Sequence, residues 1–136
     1  MKNSELSNLV VKLRNFKGLT RKAALGDILK IFEEKSYDDA GFLDVGEFKV
    51  VVSCDGIVET LVKNSPLLAG YYSVLVNVND IVAKGARPIG FMSIISSSSS
   101  NIRKKVSEGI SEGLKKYEIR LLKGHLQPDT SYDAVD

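Results

Sequence analysis

SPLLAGYYSVLVNVNDIVAKGARPIGFMSII, residues 65–95, decides the fold class. Ser65 can cap free backbone N–H groups, and Pro66 loses no hydrogen bond at a first helical position. The spacing predicts a helix over 66–84, with Leu68, Tyr72, Leu75, Val76, Asn79, Val82 and Ala83 as its inward stripe. Gly85 ends the helix and Pro88 restrains the connection into 89–95, an apolar run that reads as an inner strand.

Upstream, Leu6, Leu9, Val10 and Leu13 recur at helical spacing, and Phe16-Lys17-Gly18 is expected to close that helix with a glycine. A second helix is expected over 22–34, with Thr20 as its N-cap and Leu25, Ile28, Leu29 and Phe32 on its apolar side. An irregular stretch over 36–41 leads to Phe42-Leu43-Asp44-Val45 and a turn at Gly46. The β-branched run 48–52 then reads as a buried strand ending in Ser53-Cys54-Asp55-Gly56. Downstream, Ser96 to Ser100 read as a mobile loop or a helix entrance. Ile102, Val106, Ile110 and Leu114 predict an amphipathic helix, 119–122 a short strand, and Lys123-Gly124-His125 its turn. The tail from Gln127 turns toward what would be another strand.

Strands separated by amphipathic helices imply an α/β fold, a mixed sheet covered by helices. The expected organisation is an N-terminal helical segment, 1–35, and an α/β region, 36–136, within one structural domain.

Composition narrows the function. The chain has 136 residues, 43% of them hydrophobic and 26% charged, which suits a soluble globular domain. Nineteen basic against seventeen acidic residues leave a formal charge of +2, too small and too dispersed for a nucleic-acid surface. Arg103-Lys104-Lys105 reads as a solvated helix face. Cys54 is the only cysteine, so an internal disulfide and a thiolate zinc cage are excluded, and its place at the end of an apolar run suggests a buried structural thiol. No signal-like or membrane-spanning apolar run occurs, so a cytoplasmic location is expected.

Asp38 and Asp39, Asp55 before a glycine, and Asn79-Asp80 inside an apolar helix form three acidic loci. Burying the Asn79-Asp80 pair without partners would be costly, so it calls for hydrogen bonds, a cation or exposure. Carboxylates of this kind suit magnesium, which keeps waters and bridges protein oxygens to substrate phosphates. The alternative is that Asp38 and Asp39 cap a turn and Asp55 closes a hairpin. His125, the sole histidine, is equally readable as a ligand to phosphate and as a turn residue satisfied by solvent or Asp129. There is no Gly-x-x-x-x-Gly-Lys-Ser/Thr loop and no Gly-x-Gly-x-x-Gly signature, so any ATP handling must run through carboxylate-bound magnesium.

Asp38-Asp39-Ala40, Cys54-Asp55-Gly56-Ile57-Val58-Glu59, the block from Asn77 to Pro88, and Gly124-His125 followed by Pro128-Asp129 occur in an order that resembles the N-terminal domain of the aminoimidazole ribonucleotide synthetase superfamily. That superfamily includes thiamine-monophosphate kinase, selenophosphate synthetase and the hydrogenase-maturation ATPase, and the pattern is most similar to synthetase-like members catalogued with methanogenesis markers. The resemblance implies ATP and magnesium as cofactors and phosphoryl transfer as the reaction class. By position it implies Asp38, Asp39, Asp55 and Asp80 as metal ligands, with Asn79, Asp80, Gly124 and His125 contacting the nucleotide. It also implies a homodimer formed through strand pairing. Relatives carry a further strand and a C-terminal domain, so the chain reads as truncated before both and incomplete for catalysis alone, the missing part being supplied by continuation of the chain or by a separate polypeptide. A noncatalytic dimerisation domain or a small-ligand-binding domain are the other readings of the same fold.

Overall fold

In the computed structural model, residues 3–20, 25–33 and 38–136 are described. The chain divides into two compact units, Met1–Asp38 and Asp39–Asp136. The first holds helices α1 (Asn3–Arg14), α2 (Lys17–Thr20) and α3 (Leu25–Ile31). The apolar repeat of Leu6 to Leu13 does form a helix, but Gly18 lies inside α2 rather than closing α1. Thr20 ends α2 and its hydroxyl donates to the Phe16 carbonyl, while the N–H groups it is expected to cap, at 21–24, lie outside the described residues. The helix expected over 22–34 coincides with α3 over 25–31, and residues 21–24 and 34–37 lie outside the described part.

The second unit begins with a hairpin of β1 (Gly41–Val45) and β2 (Phe48–Val52), paired antiparallel from Gly41↔Val52 to Val45↔Phe48. Gly46 takes a φ of 61° in its two-residue turn, a conformation that costs a glycine little. The expected burial of 48–52 is overturned: the strand is exposed except at a half-buried Val51, and Phe48 is 76% exposed. A two-stranded sheet has no third strand to cover its residues, so β-branched side chains alone cannot bury it.

Helices α4 (Glu59–Asn64) and α5 (Pro66–Ala83), strand β3 (Phe91–Ser96), helix α6 (Ser100–Lys116) and strands β4 (Leu121–Gln127) and β5 (Ala134–Val135) complete the unit. β3 is central, parallel to β4 and antiparallel to β5, so the three-stranded sheet is mixed. Strand, helix and parallel strand in succession make β3-α6-β4 a crossover unit, with α5 packed on α6. The core between helices and sheet consists of Val62, Ala69, Val74, Val78, Phe91, Ile95, Val106, Ile110 and Val135.

Two sequence expectations are corrected here. The buried face of α5 is Ala69, Gly70, Ser73, Val74 and Val78, one residue round from the expected stripe, and Leu68, Tyr72 and Val82 are exposed. Close approach explains it: a Cβ on Gly70 would stand 2.0 Å from the Val106 carbonyl oxygen, and one on Gly109 would stand 1.9 Å from that of Leu67. Small residues at the crossing let the two backbones touch, and that choice outweighs the bulk of Leu68 and Tyr72. Second, Lys123-Gly124-His125 is strand, not turn: these residues pair with Met92, Ser93 and Ile94. The register shifts between Phe91 and Met92, so Leu122 is the extra residue of a bulge.

The serine run is ordered work for the fold. Ser96 ends β3 and donates to Gln127 Oε1, and Ser99 caps α6 by accepting from the Ile102 N–H. Ser97 is fully buried; its hydroxyl donates to Asp133 and accepts from the Ser99 N–H, while Arg103 Nη1 donates to its carbonyl at 2.7 Å. Asp133 in turn donates its N–H to Glu59, whose carboxyl is held below its ordinary pKa by the Lys63 ammonium and by that N–H. Ser97→Ala strips a hydrogen-bond donor from a carboxylate in this cluster. It is expected to lower stability by about 1–3 kcal/mol, read as a lower denaturation midpoint at unchanged slope; an unchanged midpoint would refute the role.

Candidate functional site

The polar side chains of the block from Asn77 to Pro88 meet the segment that leaves β2. Asn77 and Asp80 are three residues apart and share one face of α5. Ser53 Oγ lies 3.1 Å from Asn77 Oδ1 and 3.0 Å from Asp80 Oδ2. A hydroxyl has one hydrogen to give, so it serves one of these acceptors at a time. Asn77 Nδ2 donates to the Ser73 carbonyl at 2.9 Å and reaches the Asp55 carbonyl at 3.4 Å. That fixes the amide so that Oδ1 accepts the Asp55 N–H at 3.0 Å.

Beside this network runs an apolar groove of about 550 Å³. Val51 of β2, Ile81 and Pro88, and Met92, Ile94 and Leu122 are among its apolar lining. Ser53, Cys54, Asn77, Lys123, His125 and Asp136 supply its polar lining. Cys54 is exposed, which corrects its expected burial. Asp136 adjoins the 53–57 segment: its Oδ1 lies 2.2 Å from where a Gly56 Cβ would stand, and the Ile57 N–H donates to the Val135 carbonyl at 3.0 Å.

The expected site residues separate into groups. Asp80 joins the Ser53–Asn77–Asp55 network, and His125 faces the groove from β4. Gly124 alternates to the helix side of the sheet, where it lines a second depression with Ile110 and Leu114. Asn79 is exposed on α5. Asp38 ends the first unit and Asp39 begins the second, both exposed. Among the described residues no group of three or more His, Cys, Asp or Glu side chains is placed to hold a metal ion. Ser53, Asn77 and Asp136 have no role among the sequence expectations; the three-residue spacing that puts Asn77 on the same helix face as Asp80 is the signal that points to Asn77.

Residues 37–135 match the family described as AIR synthase related protein, N-terminal domain, and the chain belongs to that family. It is 34% identical over 143 residues to an uncharacterized protein of Methanocaldococcus jannaschii, a match covering 96% of this chain and 44% of that one. Similarity to the thiamine-monophosphate kinase of Pyrococcus abyssi is 35% identity over 103 residues, covering 71% of this chain and 33% of the relative. The fold is similar to that of AaThiL complexed with AMPPCP and TMP, with a TM-score of 0.66 at 18% identity, over 82% of this chain and 38% of that one. The chain thus spans less than half the length of each of these relatives. Among the described residues no helix is long and apolar enough to cross a membrane.

Proposed function

We propose that this chain is the magnesium- and ATP-phosphate-binding N-terminal portion of an ATP-dependent synthetase or kinase-like enzyme, incomplete for catalysis alone. The observation that carries the reading is the junction of Ser53, Asn77, Asp55 and Asp80. Asp80 stands near the C-terminal end of α5, and the last turn of that helix has no basic residue. A carboxylate there faces the negative end of the helix dipole, an arrangement that a bound cation offsets. The donor set is oxygen throughout, which fits magnesium held by one or two carboxylates, waters and substrate phosphates better than a closed protein cage. Asp80 and Asp55 would hold the ion, with Asp38 and Asp39 as further ligands by sequence; Asn79, Gly124 and His125 would contact the nucleotide. A bound magnesium supplies charge neutralisation for the transferring phosphoryl group. The chain's own residues orient: Ser53 bonds the Asp80 carboxylate and Asn77 holds the Asp55 backbone beside it.

Calorimetric titration of the wild-type chain with a nonhydrolysable ATP analogue, with and without magnesium, tests the reading. Magnesium-dependent binding is expected, and its absence would overturn the reading.

Homodimerisation accompanies this proposal and is also the second reading, that of a noncatalytic dimerisation domain. It is favoured by the apolar side chains left open on the groove face of the sheet, with Met92 66% and Ile94 44% exposed. Contiguous exposed apolar surface of this kind marks association sites. Sedimentation across concentrations is expected to give a dimer that Ile94→Glu converts to monomer; a strictly monomeric wild type would refute the dimer. A cytoplasmic location and a C-terminal-domain polypeptide as partner belong to the same proposal.

A further inference from the structure

We infer that Asn77 is a positioning residue of the proposed magnesium site, an inference that rests on the proposed function. Its side chain is half-buried, and it bonds α5 to the segment leaving β2 at two points of the Asp55 backbone. Residues 53–58 belong to no helix or strand, so the backbone there has no ladder of its own to fix it.

Asn77 supplies a partner in both polarities. Nδ2 is anchored on the Ser73 carbonyl within α5 at 2.9 Å, one helical turn back. With the amide so oriented, Oδ1 takes the Asp55 N–H at 3.0 Å and Nδ2 also reaches the Asp55 carbonyl at 3.4 Å. The peptide groups flanking one residue are therefore held by one side chain. Ser53, two residues earlier, stands within hydrogen-bond distance of both Oδ1 and Asp80. The Asp55 backbone and the Asp80 carboxylate, far apart in sequence, are thus both tied to neighbouring positions of one helix. A site whose ligands are fixed in advance does not spend binding energy on ordering them.

Ser53 adds a direction to this arrangement. Its single hydroxyl hydrogen is attracted more strongly by the carboxylate of Asp80 than by a neutral amide oxygen. When a cation takes Asp80 Oδ2, that hydrogen is repelled, and Asn77 Oδ1 at 3.1 Å is the acceptor in reach. Asn77 therefore keeps the hydroxyl satisfied in the ion-bound state as well, where an alanine would leave it without an acceptor in the network.

The test uses the full chain in three measurements. Wild type is first titrated with magnesium at fixed ATP analogue; if no magnesium-dependent binding is seen at all, the proposed function fails and this inference falls with it. Given binding, Asn77→Ala is expected to raise the magnesium concentration for half-saturation about tenfold, the effect of losing a well-placed hydrogen bond to a charged site. Cooperative melting should persist. A variant that melts earlier but half-saturates like wild type would show a merely structural amide and overturn the inference. Amide hydrogen exchange on the wild type keeps the test independent of the variant's folding. The Asp55 amide should be protected although its residue is exposed and outside any strand, and exchange at the rate of a free loop would overturn the inference equally.

Discussion

Asp80→Ala is expected to weaken magnesium-dependent binding of an ATP analogue by about a hundredfold, the upper end of what loss of even an outer-sphere partner costs a metal site. The size follows from its position. Asp80 is the charged member of the network reached by Ser53, and it lies near the negative end of the α5 dipole. Removing it takes away both the local negative charge that recruits the ion and the acceptor that orients Ser53. Asp80→Asn separates these effects, because the amide keeps an oxygen for Ser53 but carries no charge. If charge governs, Asn and Ala are equally impaired; if orientation governs, Asn recovers most of the affinity. Half-saturation at the wild-type magnesium concentration in both variants would exclude Asp80 from the site. Calorimetry resolves the cases.

The largest effect on stability is expected at Gly109. In an exposed helix, glycine to alanine stabilises by about 1 kcal/mol, because alanine has less backbone freedom to lose. Gly109→Ala reverses the sign. Its Cβ would stand 1.9 Å from the Leu67 carbonyl oxygen and 2.8 Å from the Tyr71 nitrogen, and neither belongs to a side chain that can swing aside. Relief requires the two helix backbones to separate, which opens the core around Val74, Val106 and Ile110. Overpacking of this kind costs about 3 kcal/mol, the upper part of its usual range. A fall of more than 10 °C in the melting temperature of the second unit, on the order of what such a loss brings in a unit of this size, is the expected result. Gly26→Ala in α3 is the control, since nothing among the described residues lies within 4 Å of that position; it should be neutral or slightly stabilising. Equal effects at both sites would refute the tight crossing.

The same crossing explains what the sequence left illegible. The start of α5 at Pro66, the strand after Pro88 and the α6 repeat were readable because each rests on local signals: proline at a first turn, an apolar run after a proline, a four-residue apolar period. The rotation of α5 was not, because bulk suggested that Leu68 and Tyr72 turn inward, whereas contact with α6 selected Gly70 and Ser73. Ser65 illustrates a milder case: it precedes the helix as expected but makes no side-chain cap bond, since it also follows α4 directly. Asp80 was legible as a buried-polar problem needing a solution. The solution, Ser53, stands 27 residues away, and no spacing rule connects a strand exit to a helix face. His125 was misplaced in a turn because glycine beside it outweighed a strand pattern that a bulge at Leu122 had already broken.

β5 is only two residues long, yet it closes both the sheet and the acidic edge of the groove. Ile94 exchanges paired hydrogen bonds with Asp136, and Val135 accepts from Ile57, so the tail touches the chain far from itself in sequence. The segment carrying Asp55 then has two moorings from different parts of the chain, the Asn77 amide on α5 and the Val135 carbonyl on β5, so a displacement of either element is felt at the same short stretch of backbone.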